Sequence, residues 1–236
     1  MKIGIIGYGK MGRMVEQEAT AAGHEVSFTT SSENDAWGKA DVLIEFTHPE
    51  AIIPNLHRAL DLGIPMVTGT TGWNQHLEEI EALVKSKEGS FLHASNFSIG
   101  VNIFFEINRQ LAHIMASQRA YRVHIEETHH TEKKDSPSGT AITAANGILE
   151  SQIFLSKWAL DHSKDHDADI LPIRSHRLPD VPGKHIVKYE SSIDSISLTH
   201  EAKSRKGFAQ GAILAAEWLS KRKGVFTMKD ILSFNR

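Results

Sequence analysis

The stretch that decides the fold is Lys2-Ile-Gly-Ile-Ile-Gly-Tyr-Gly-Lys-Met-Gly12. Its opening apolar run is typical of a strand buried in a parallel sheet. Gly7, Gly9 and Gly12 follow in Gly-x-Gly-x-x-Gly spacing, and apolar residues at helical intervals continue to Ala22. In this order the first glycine makes a tight turn, the second lets the backbone approach a pyrophosphate, and the third lets helix and strand pack closely. The stretch predicts a Rossmann-type dinucleotide-binding unit.

Strand and helix patterns then alternate along the first part of the chain. Strands are predicted over 24–28, 41–46, 64–68 and 91–94, and helices over 52–60 and 77–84. Repeated βα units imply right-handed crossovers and a doubly wound parallel sheet. Ligands of such sheets lie beyond the carboxyl ends of the strands. The residues predicted there, with glycine and hydroxyl groups suited to ribose or nicotinamide, are Phe46, Thr47, Gly69, Thr70 and Thr71.

The end of the second predicted strand bears on the choice of cofactor. NAD-specific units place an Asp or Glu there to bind the ribose 2′-hydroxyl. This chain has hydroxyl residues instead, and Glu33 comes a few positions too late. Thr29, Thr30 and Ser31 could hydrogen-bond a 2′-phosphate, but the arginine expected of an NADP site is missing from this stretch. The residues therefore leave NADH and NADPH both open.

Composition excludes several classes of protein. The 236 residues, 40% hydrophobic and 23% charged, suit one large or two modest globular domains. The formal net charge of −3 gives no general attraction to nucleic acid or to an anionic membrane. The absence of cysteine excludes disulfides, thiolate nucleophiles and cysteine-based zinc sites. No signal-peptide pattern and no apolar run of membrane-spanning length is present, so we expect a cytoplasmic enzyme.

The pattern changes after the predicted helix over 103–115. Strand patterns over 121–126, 186–190 and 192–200, with a helix over 140–149, predict an α+β domain built on an open mixed sheet. A helix over 209–221 and the tail over 226–232 are expected to return to the first domain. We therefore divide the chain into 1–101 with 208–236, and 102–207. His162 and His166 lie in a charge-rich loop, where we expect them to be solvated.

The segment from Glu126 to Ala141 concentrates chemically useful groups between a strand and a helix. It contains His129, His130 and Lys133, which can exchange protons or carry positive charge. Its Pro-Ser-Gly-Thr turn, with Ser138 or Thr140 as N-cap, would direct backbone N–H groups outward at the positive end of a helix dipole. Such an end binds carboxylate or phosphate. A solvated loop could explain any one of these residues, but the whole constellation favours a site.

Two readings from other classes remain open at this point. A metal-dependent hydrolase could use His124, His129 and His130 with Glu127. Adjacent histidines on an extended chain point to opposite faces, however, and no His-Glu-x-x-His helix is present. We therefore predict no metal. A nucleotide-binding sensor would keep the fold without catalysis, which the presence of His129 and Lys133 argues against.

Several motifs, in order along essentially the whole chain, resemble the 4-hydroxy-tetrahydrodipicolinate reductase (dihydrodipicolinate reductase) family. The most specific is Glu127-x-His129-His130-x-x-Lys133-x-Asp135-x-Pro137-Ser138-Gly139-Thr140-Ala141. Supporting matches are Gly7-x-Gly9-x-x-Gly12, Phe46-Thr47-x-Pro49-Glu50, Gly69-Thr70-Thr71-Gly72, Asn96-Phe97-Ser98-x-Gly100-Val101-Asn102, Val181-Pro182-Gly183-x-His185, His200-Glu201-Ala202-x-Ser204-Arg205 and Phe208-Ala209-x-Gly211-Ala212. The chain departs from the family at Arg177-Leu-Pro-Asp, which lacks a glycine found in many relatives.

The resemblance implies a function and a set of roles. It implies NADH- or NADPH-dependent reduction of 4-hydroxy-tetrahydrodipicolinate to tetrahydrodipicolinate, with loss of water, in diaminopimelate and lysine biosynthesis. It makes 1–101 with 208–236 the dinucleotide-binding domain and 102–207 the substrate-binding and oligomerisation domain of a homotetramer. His129 and Lys133 would be catalytic, and His130, Gly139 and Thr140 would bind the cyclic dicarboxylate substrate. The cofactor would contact Gly7, Tyr8, Gly9, Lys10, Met11, Gly12, Thr29, Thr30, Phe46, Thr47, Gly69, Thr70, Thr71, Ser95, Asn96 and Phe97.

Overall fold

The structure is a computed structural model that describes residues 1–32, 35–161 and 167–233. The predictions made for Glu33, His162 and His166 lie outside the described residues. The chain divides into two compact units, Met1–Ile99 with Lys206–Arg236, and Gly100–Arg205. Among the described residues no helix is long and apolar enough to cross a membrane.

The strands and helices alternate along most of the chain. In chain order the strands are β1 (Lys2–Ile6), β2 (Glu25–Thr30), β3 (Val42–Glu45), β4 (Met66–Thr68), β5 (Ser90–His93), β6 (Arg122–His129), β7 (Lys157–Leu160), β8 (Ile170–Arg177), β9 (Gly183–Glu190), β10 (Ser195–Ala202) and β11 (Gly224–Phe226). The helices are α1 (Lys10–Ala21), α2 (Ile52–Asp61), α3 (Leu77–Ser86), α4 (Ile99–Met115), α5 (Gly139–Leu149), α6 (Lys206–Leu219) and α7 (Met228–Ile231).

The first unit is built on a six-stranded sheet whose pairs are all parallel. Its order is β11-β5-β4-β3-β1-β2. β1 therefore lies between β2 and β3, and the strand order reverses beside it. Such a switch point opens a crevice at the carboxyl ends of the strands, where doubly wound sheets bind ligands. The predicted Rossmann-type parallel sheet is confirmed.

Helix α6 closes one side of this sheet. Five of the seven buried residues of this helix are alanine or glycine, and Gly211 lies so close to Phe97 that an added Cβ would overlap the Phe97 carbonyl. Small side chains let a helix approach its neighbours closely, and Ile213 and Leu219 add larger apolar side chains to the same core. The alanines of α6 that are fully buried in this core are Ala209, Ala212, Ala215 and Ala216.

The second unit contains the predicted open mixed sheet, which is also confirmed. Its order is β10-β9-β6-β8-β7, with β6, β8 and β7 parallel and β9 antiparallel to both β6 and β10. Burial alternates along β6, so that Ile125, Glu127 and His129 share the buried face. Residues of α4 and α5 form the apolar core on that face together with Ile125, Ile173 and Val187.

Two element boundaries and two whole strands differ from the sequence predictions. β6 continues to His129, three residues beyond the predicted end. The prediction stopped early because the buried residues of this last part, Glu127 and His129, are polar and do not show an apolar alternation. β7 and β8 were not predicted at all. β8 contains Pro172 and a polar end, which obscure the period-two pattern on which a strand prediction depends. Helix α4 begins at Ile99, one turn before the predicted start.

Candidate active site

A cavity of about 370 Å³ lies at the switch point of the first unit. Of the predicted cofactor residues, Gly7, Tyr8, Gly9, Thr30 and Thr47 line it. The other lining residues are Ile6, Ser31, Ser32, Trp37, His48, Ala51 and Asn55. Among these, the sequence pointed to Ser31 alone, as a hydrogen-bond partner of a 2′-phosphate. The other predicted contacts lie outside this wall: Lys10, Met11, Gly12, Thr29, Phe46, Gly69, Thr70, Thr71, Ser95, Asn96 and Phe97.

The three glycines of the opening motif differ in what surrounds them. Gly7 has a φ of +90°, and an added Cβ would overlap the Phe46 carbonyl. At Gly12 a Cβ would overlap the carbonyl of Gly7, so the close contact of helix and strand requires glycine there. At Gly9, the N-cap of α1, a Cβ would meet nothing within 4 Å. The open space before a helix N-terminus fits a pyrophosphate.

A buried carboxyl group connects the ends of β3 and β4 beside this cavity. Glu45 is 0% exposed and accepts hydrogen bonds from the hydroxyls of Thr47, Thr68 and Thr70. The Thr70 hydroxyl in turn accepts from the Thr47 amide at 2.7 Å. Burial raises the pKa of Glu45, although the threonine hydroxyls oppose the shift. The cluster fixes Thr47 and Thr70 relative to each other, which the sequence alone did not indicate.

Phe97 has a structural role in the unit. It is buried in the core and contacts the ring of Phe46 edge-on, with 6.1 Å between the ring centroids. Among the other predicted contacts, Thr29, Thr71 and Ser95 are exposed.

The carboxyl end of β6 forms the centre of the candidate site in the second unit. Glu127 is 0% exposed, and its Oε1 accepts hydrogen bonds from the amide of Ser138, the hydroxyl of Ser175 and the guanidinium of Arg177. Its Oε2 lies 2.8 Å from Nδ1 of His129, without the alignment of a hydrogen bond. Burial would raise the pKa of Glu127, but His129, Ser138 and Ser175 together hold it well below its usual value.

His185 on β9 completes this buried group. Its Nε2 lies 3.1 Å from the hydroxyl of Ser138 and 3.9 Å from Oε2 of Glu127. Burial, reinforced by the neighbouring His129, lowers the pKa of His185 to about 3, so the ring is neutral at physiological pH. Glu127, His129 and His185 each offer one ligand atom within 4.8 Å of the others, close enough for a metal ion. The guanidinium of Arg177 on the same carboxylate opposes a second cation there.

The loop after β6 is held by Arg177, which the sequence did not identify as a site residue. Its guanidinium donates to the carbonyl of Lys133 at 3.3 Å and to that of Asp135 at 2.6 Å, besides binding Glu127. The Lys133 ammonium, partly exposed, lies 2.9 Å from Oδ1 of Asp135. Because one arginine binds both the buried carboxylate and the loop backbone, the position of Lys133 is tied to that of Glu127.

His130 faces away from His129, as alternation along an extended chain predicts. It lines a second cavity of about 330 Å³, within the second unit, and its Nε2 lies 3.0 Å from a guanidinium nitrogen of Arg205. The other lining residues are Thr131, Glu132, Pro179, Asp180, Val181 and Pro182. The structure therefore brings His129 together with Glu127 but leaves His130 and Lys133 outside that buried group.

The start of α5 is capped by a side chain, as the sequence predicts. Ser138 is the N-cap, and its hydroxyl accepts from the amide of Ala141 at 3.1 Å. Gly139 is exposed, and an added Cβ there would meet nothing within 4 Å. The first turn of this 11-residue helix thus presents Gly139 and Thr140 at its positive end, next to the Glu127 group through Ser138.

Protein-family models match nearly the whole chain in two adjacent parts. Residues 1–97 match the model described as "Dihydrodipicolinate reductase, N-terminus". Residues 100–232 match the model described as "Dihydrodipicolinate reductase, C-terminus".

Individual relatives agree with these models. The chain is 46% identical over 239 residues to the 4-hydroxy-tetrahydrodipicolinate reductase of Christiangramia forsetii, covering 99% of this chain and 98% of the relative. It is 36% identical over 201 residues to the enzyme of that name from Methanosarcina barkeri, covering 82% and 73% respectively. The solved structure of a dipicolinate-bound dihydrodipicolinate reductase from Paenisporosarcina sp. TG-14 shares the fold, with a TM-score of 0.79, 20% identity and coverage of 98% and 99%. The chain belongs to the dihydrodipicolinate reductase family, as its motifs predict.

Proposed function

We propose that the chain reduces 4-hydroxy-tetrahydrodipicolinate to tetrahydrodipicolinate, with loss of water, in diaminopimelate and lysine biosynthesis, using NADH or NADPH. Family membership along both units and the shared activity name of the relatives support this reaction. The observation that carries the chemistry is the grouping of Glu127 and His129 beside the N-terminus of α5. A proton-exchanging side chain and an anion-binding turn are thereby next to each other.

His129 is the proposed proton donor or acceptor. Its Nδ1 faces the buried carboxylate of Glu127, which fixes the ring and favours a proton on that nitrogen. Its Nε2 faces Gly183, where an added Cβ would lie 3.0 Å from the nitrogen. The missing side chain at Gly183 leaves room at the nitrogen that remains for proton exchange.

The proposed substrate contacts are cationic or are backbone donors. Gly139 and Thr140 offer N–H groups to one carboxylate of the cyclic substrate at the start of α5. Lys133, now paired with Asp135, supplies positive charge and a proton to the bound ligand. His130, beside Arg205, contributes a further polar contact to the substrate. The substrate has two carboxylates on a small ring. The backbone N–H groups at the start of α5 can bind one of them, and the side chains of Lys133 and His130 are available for the other.

The first unit supplies the proposed cofactor site. The open space at Gly9, the N-terminus of α1 and the cavity at the switch point fit a dinucleotide pyrophosphate and its adjacent riboses. A bound reduced nicotinamide supplies the hydride for the reaction. The chain's own contribution is to bind and orient it, with Thr47 fixed by the Glu45 cluster. The remaining predicted cofactor contacts stay part of this proposal.

We assign oligomerisation to the second unit and propose a homotetramer in the cytoplasm. One face of the mixed sheet carries partly exposed residues such as His124, Glu126, Arg174 and Lys188. The edge strand β10 is exposed along most of its length. An uncovered sheet face with an open edge is a common surface for pairing with another copy. Light scattering on the purified protein tests the tetramer, and a monomer at micromolar concentration would contradict it.

The activity is tested by the loss of reduced-nicotinamide absorbance, with NADH and NADPH in separate assays and substrate generated in situ by the preceding synthase. We expect substrate-dependent oxidation by the wild type, and a fall of about 10²- to 10⁴-fold in His129→Ala and Lys133→Ala. The exposed His113→Ala and Lys134→Ala serve as matched controls. Cofactor binding without any oxidation by folded wild type would contradict the proposal. A chelator should leave the activity unchanged.

A further inference from the structure

His185 on β9 is a buried side chain without a direct part in the proposed proton transfer. It is 4% exposed and lies opposite Glu127 in the antiparallel pairing of β6 with β9. Its Nε2 lies 3.1 Å from the hydroxyl of Ser138 and 3.9 Å from Oε2 of Glu127. Its ring meets the ring of His129 edge-on, with 5.0 Å between the centroids. One side chain thus lies between the N-cap of α5, the buried carboxylate and the proposed proton donor.

The ring of His129 is held from two sides. Oε2 of Glu127 lies 2.8 Å from Nδ1, but without the alignment of a hydrogen bond, so this contact leaves the ring some freedom to tilt. The edge-on contact with His185, at an interplanar angle of 71°, restrains that tilt, since aromatic rings favour this arrangement. Gly183, two residues before His185 on β9, leaves space at Nε2 of His129. β9 therefore supports the ring and leaves open the nitrogen proposed for proton exchange.

The hydroxyl of Ser138 is held between His185 and the first turn of α5. It accepts a hydrogen bond from the amide of Ala141 at 3.1 Å. Ser138 is 2% exposed, so water cannot readily replace His185 as the second partner of this hydroxyl. A hydroxyl both donates and accepts, so it can bond to Nε2 in either tautomer of a neutral imidazole. His185 thereby helps to fix the N-cap, and with it the turn at Gly139 and Thr140 that is proposed to bind a carboxylate.

The surroundings of His185 keep its ring neutral. Phe104 of α4 lies beside it, at 6.5 Å between the ring centroids. Burial, reinforced by the neighbouring His129, lowers the pKa of His185 to about 3. A neutral ring brings no second positive charge to compete with His129 for the carboxylate of Glu127. His185 can therefore orient both of its neighbours without taking up the proton itself.

We propose that His185 is a positioning residue for the reductase reaction, orienting the His129 ring through its own ring and the N-cap of α5 through Nε2. The two contacts act on different properties, because the first concerns proton transfer and the second concerns binding of a carboxylate. The inference rests on the proposed function, since it concerns residues of the same reaction. Substitution can separate the two contacts, because the ring and the polar atom of histidine can be removed one at a time.

Steady-state kinetics of the full chain, with reduced nicotinamide and substrate both varied, test this role. His185→Gln keeps a polar group near Nε2 but removes the ring, so kcat should fall by about tenfold or more while KM for the substrate stays within about threefold. His185→Phe keeps a ring but leaves the Ser138 hydroxyl without its partner. Its KM should therefore rise by about 2- to 12-fold, with a smaller fall in kcat than in His185→Gln. His185→Asn is too short for either contact and should show both changes.

Ser138→Ala removes the same hydrogen bond from the other side and should raise KM at least as much as His185→Phe. Ser138→Ala and His185→Asn carry the two parts of the test if either of the other variants does not fold, which thermal melting detects. His113→Gln, at an exposed position of α4, is the matched control and should keep both kinetic constants of the wild type.

Two results would overturn this inference and leave the reductase proposal intact. One is wild-type kinetics in folded variants of His185. The other is the same pattern of kcat and KM in His185→Gln as in His185→Phe, because a purely structural role would not separate the two constants. A folded wild type without reductase activity overturns both proposals.

Discussion

Nδ1 of His129 lies 2.8 Å from Oε2 of Glu127, and both side chains are buried on one face of β6. Residues two apart on a strand share a face, so the strand itself sets this pairing. The carboxylate is buried and ionised, with Arg177 and two serines on its other oxygen. The negative charge next to the ring is therefore a fixed part of the fold, present before any ligand binds.

Glu127→Gln is expected to lower kcat by about 10- to 100-fold, because the charged carboxylate beside Nδ1 no longer orients the His129 ring; each 1.36 kcal/mol of lost transition-state stabilisation is tenfold in rate. KM for the substrate should change much less, because Glu127 is buried beneath the proposed binding groups. Steady-state kinetics with both substrates varied measures the two effects. Glu150 is exposed at the C-terminal end of α5, so Glu150→Gln should have the kcat and KM of the wild type. An unchanged kcat in Glu127→Gln would show that His129 does not depend on this carboxylate.

Arg177→Met is expected to reduce the unfolding free energy by about 3 kcal/mol, because it leaves the buried charge of Glu127 without its cation. The double variant Glu127→Gln with Arg177→Met should recover part of that loss, since the unpaired charge is then removed. Urea unfolding of the four members of this cycle gives the coupling energy. Additive losses would mean that the two side chains do not interact in solution.

Gly9→Ala and Gly12→Ala alter the same motif but should affect different properties. Gly12→Ala should reduce stability, and Gly9→Ala should weaken cofactor binding. A methyl group at Gly12 overlaps the Gly7 carbonyl, so Gly12→Ala should cost about 1–3 kcal/mol of stability. A methyl group at Gly9 meets nothing, so the melting temperature should stay within a few degrees of wild type. Gly9→Ala should nevertheless weaken cofactor binding, because the pyrophosphate approaches the backbone there. Full cofactor affinity in Gly9→Ala would remove the pyrophosphate from this position.

The neutral, buried His185 should make stability depend on pH. Its pKa is lowered to about 3, whereas an unfolded histidine titrates near 6.5, so below about pH 6.5 only the unfolded chain takes up this proton. The unfolding free energy should then fall with falling pH, by up to about 1.4 kcal/mol per pH unit from this residue. His185→Asn should flatten the slope between about pH 7 and pH 5.5, as measured by urea unfolding. The exposed His57→Asn should keep the wild-type slope; equal slopes in all three proteins would refute the prediction.

Much of the fold could be predicted because its signals are local. The apolar run ending at Ile6, the glycine spacing and the repeated βα pattern predict the doubly wound parallel sheet, and the structure adds the switch point beside β1. The Ser138 N-cap and the anion-binding turn at Gly139 likewise follow from a short stretch of sequence. Each of these signals lies within a short stretch of the chain, so it can be recognised from the sequence alone.

The partners of the site could not be predicted because they come from distant strands. Ser175 and Arg177 lie on β8, whose proline and charged residues hide its period, and they reach Glu127 only through the parallel pairing of β6 with β8. Glu45 is similar: it lies at the end of an apolar strand, and its partners Thr68 and Thr70 come from β4 and the loop that follows β4.

Helix α6 and β11 give the first unit an order of assembly during synthesis. α6 packs on β3, β4 and β5, and β11 extends the sheet beyond β5, yet both are translated after the whole of the second unit. A nascent chain on the ribosome thus carries the first five strands with the apolar surface that α6 later covers still exposed, while residues 100–205 already have every strand of their own sheet. Exposed apolar surface of that kind is what chaperones bind. The unit that carries the opening glycine motif can therefore complete its sheet only after the second unit has been translated.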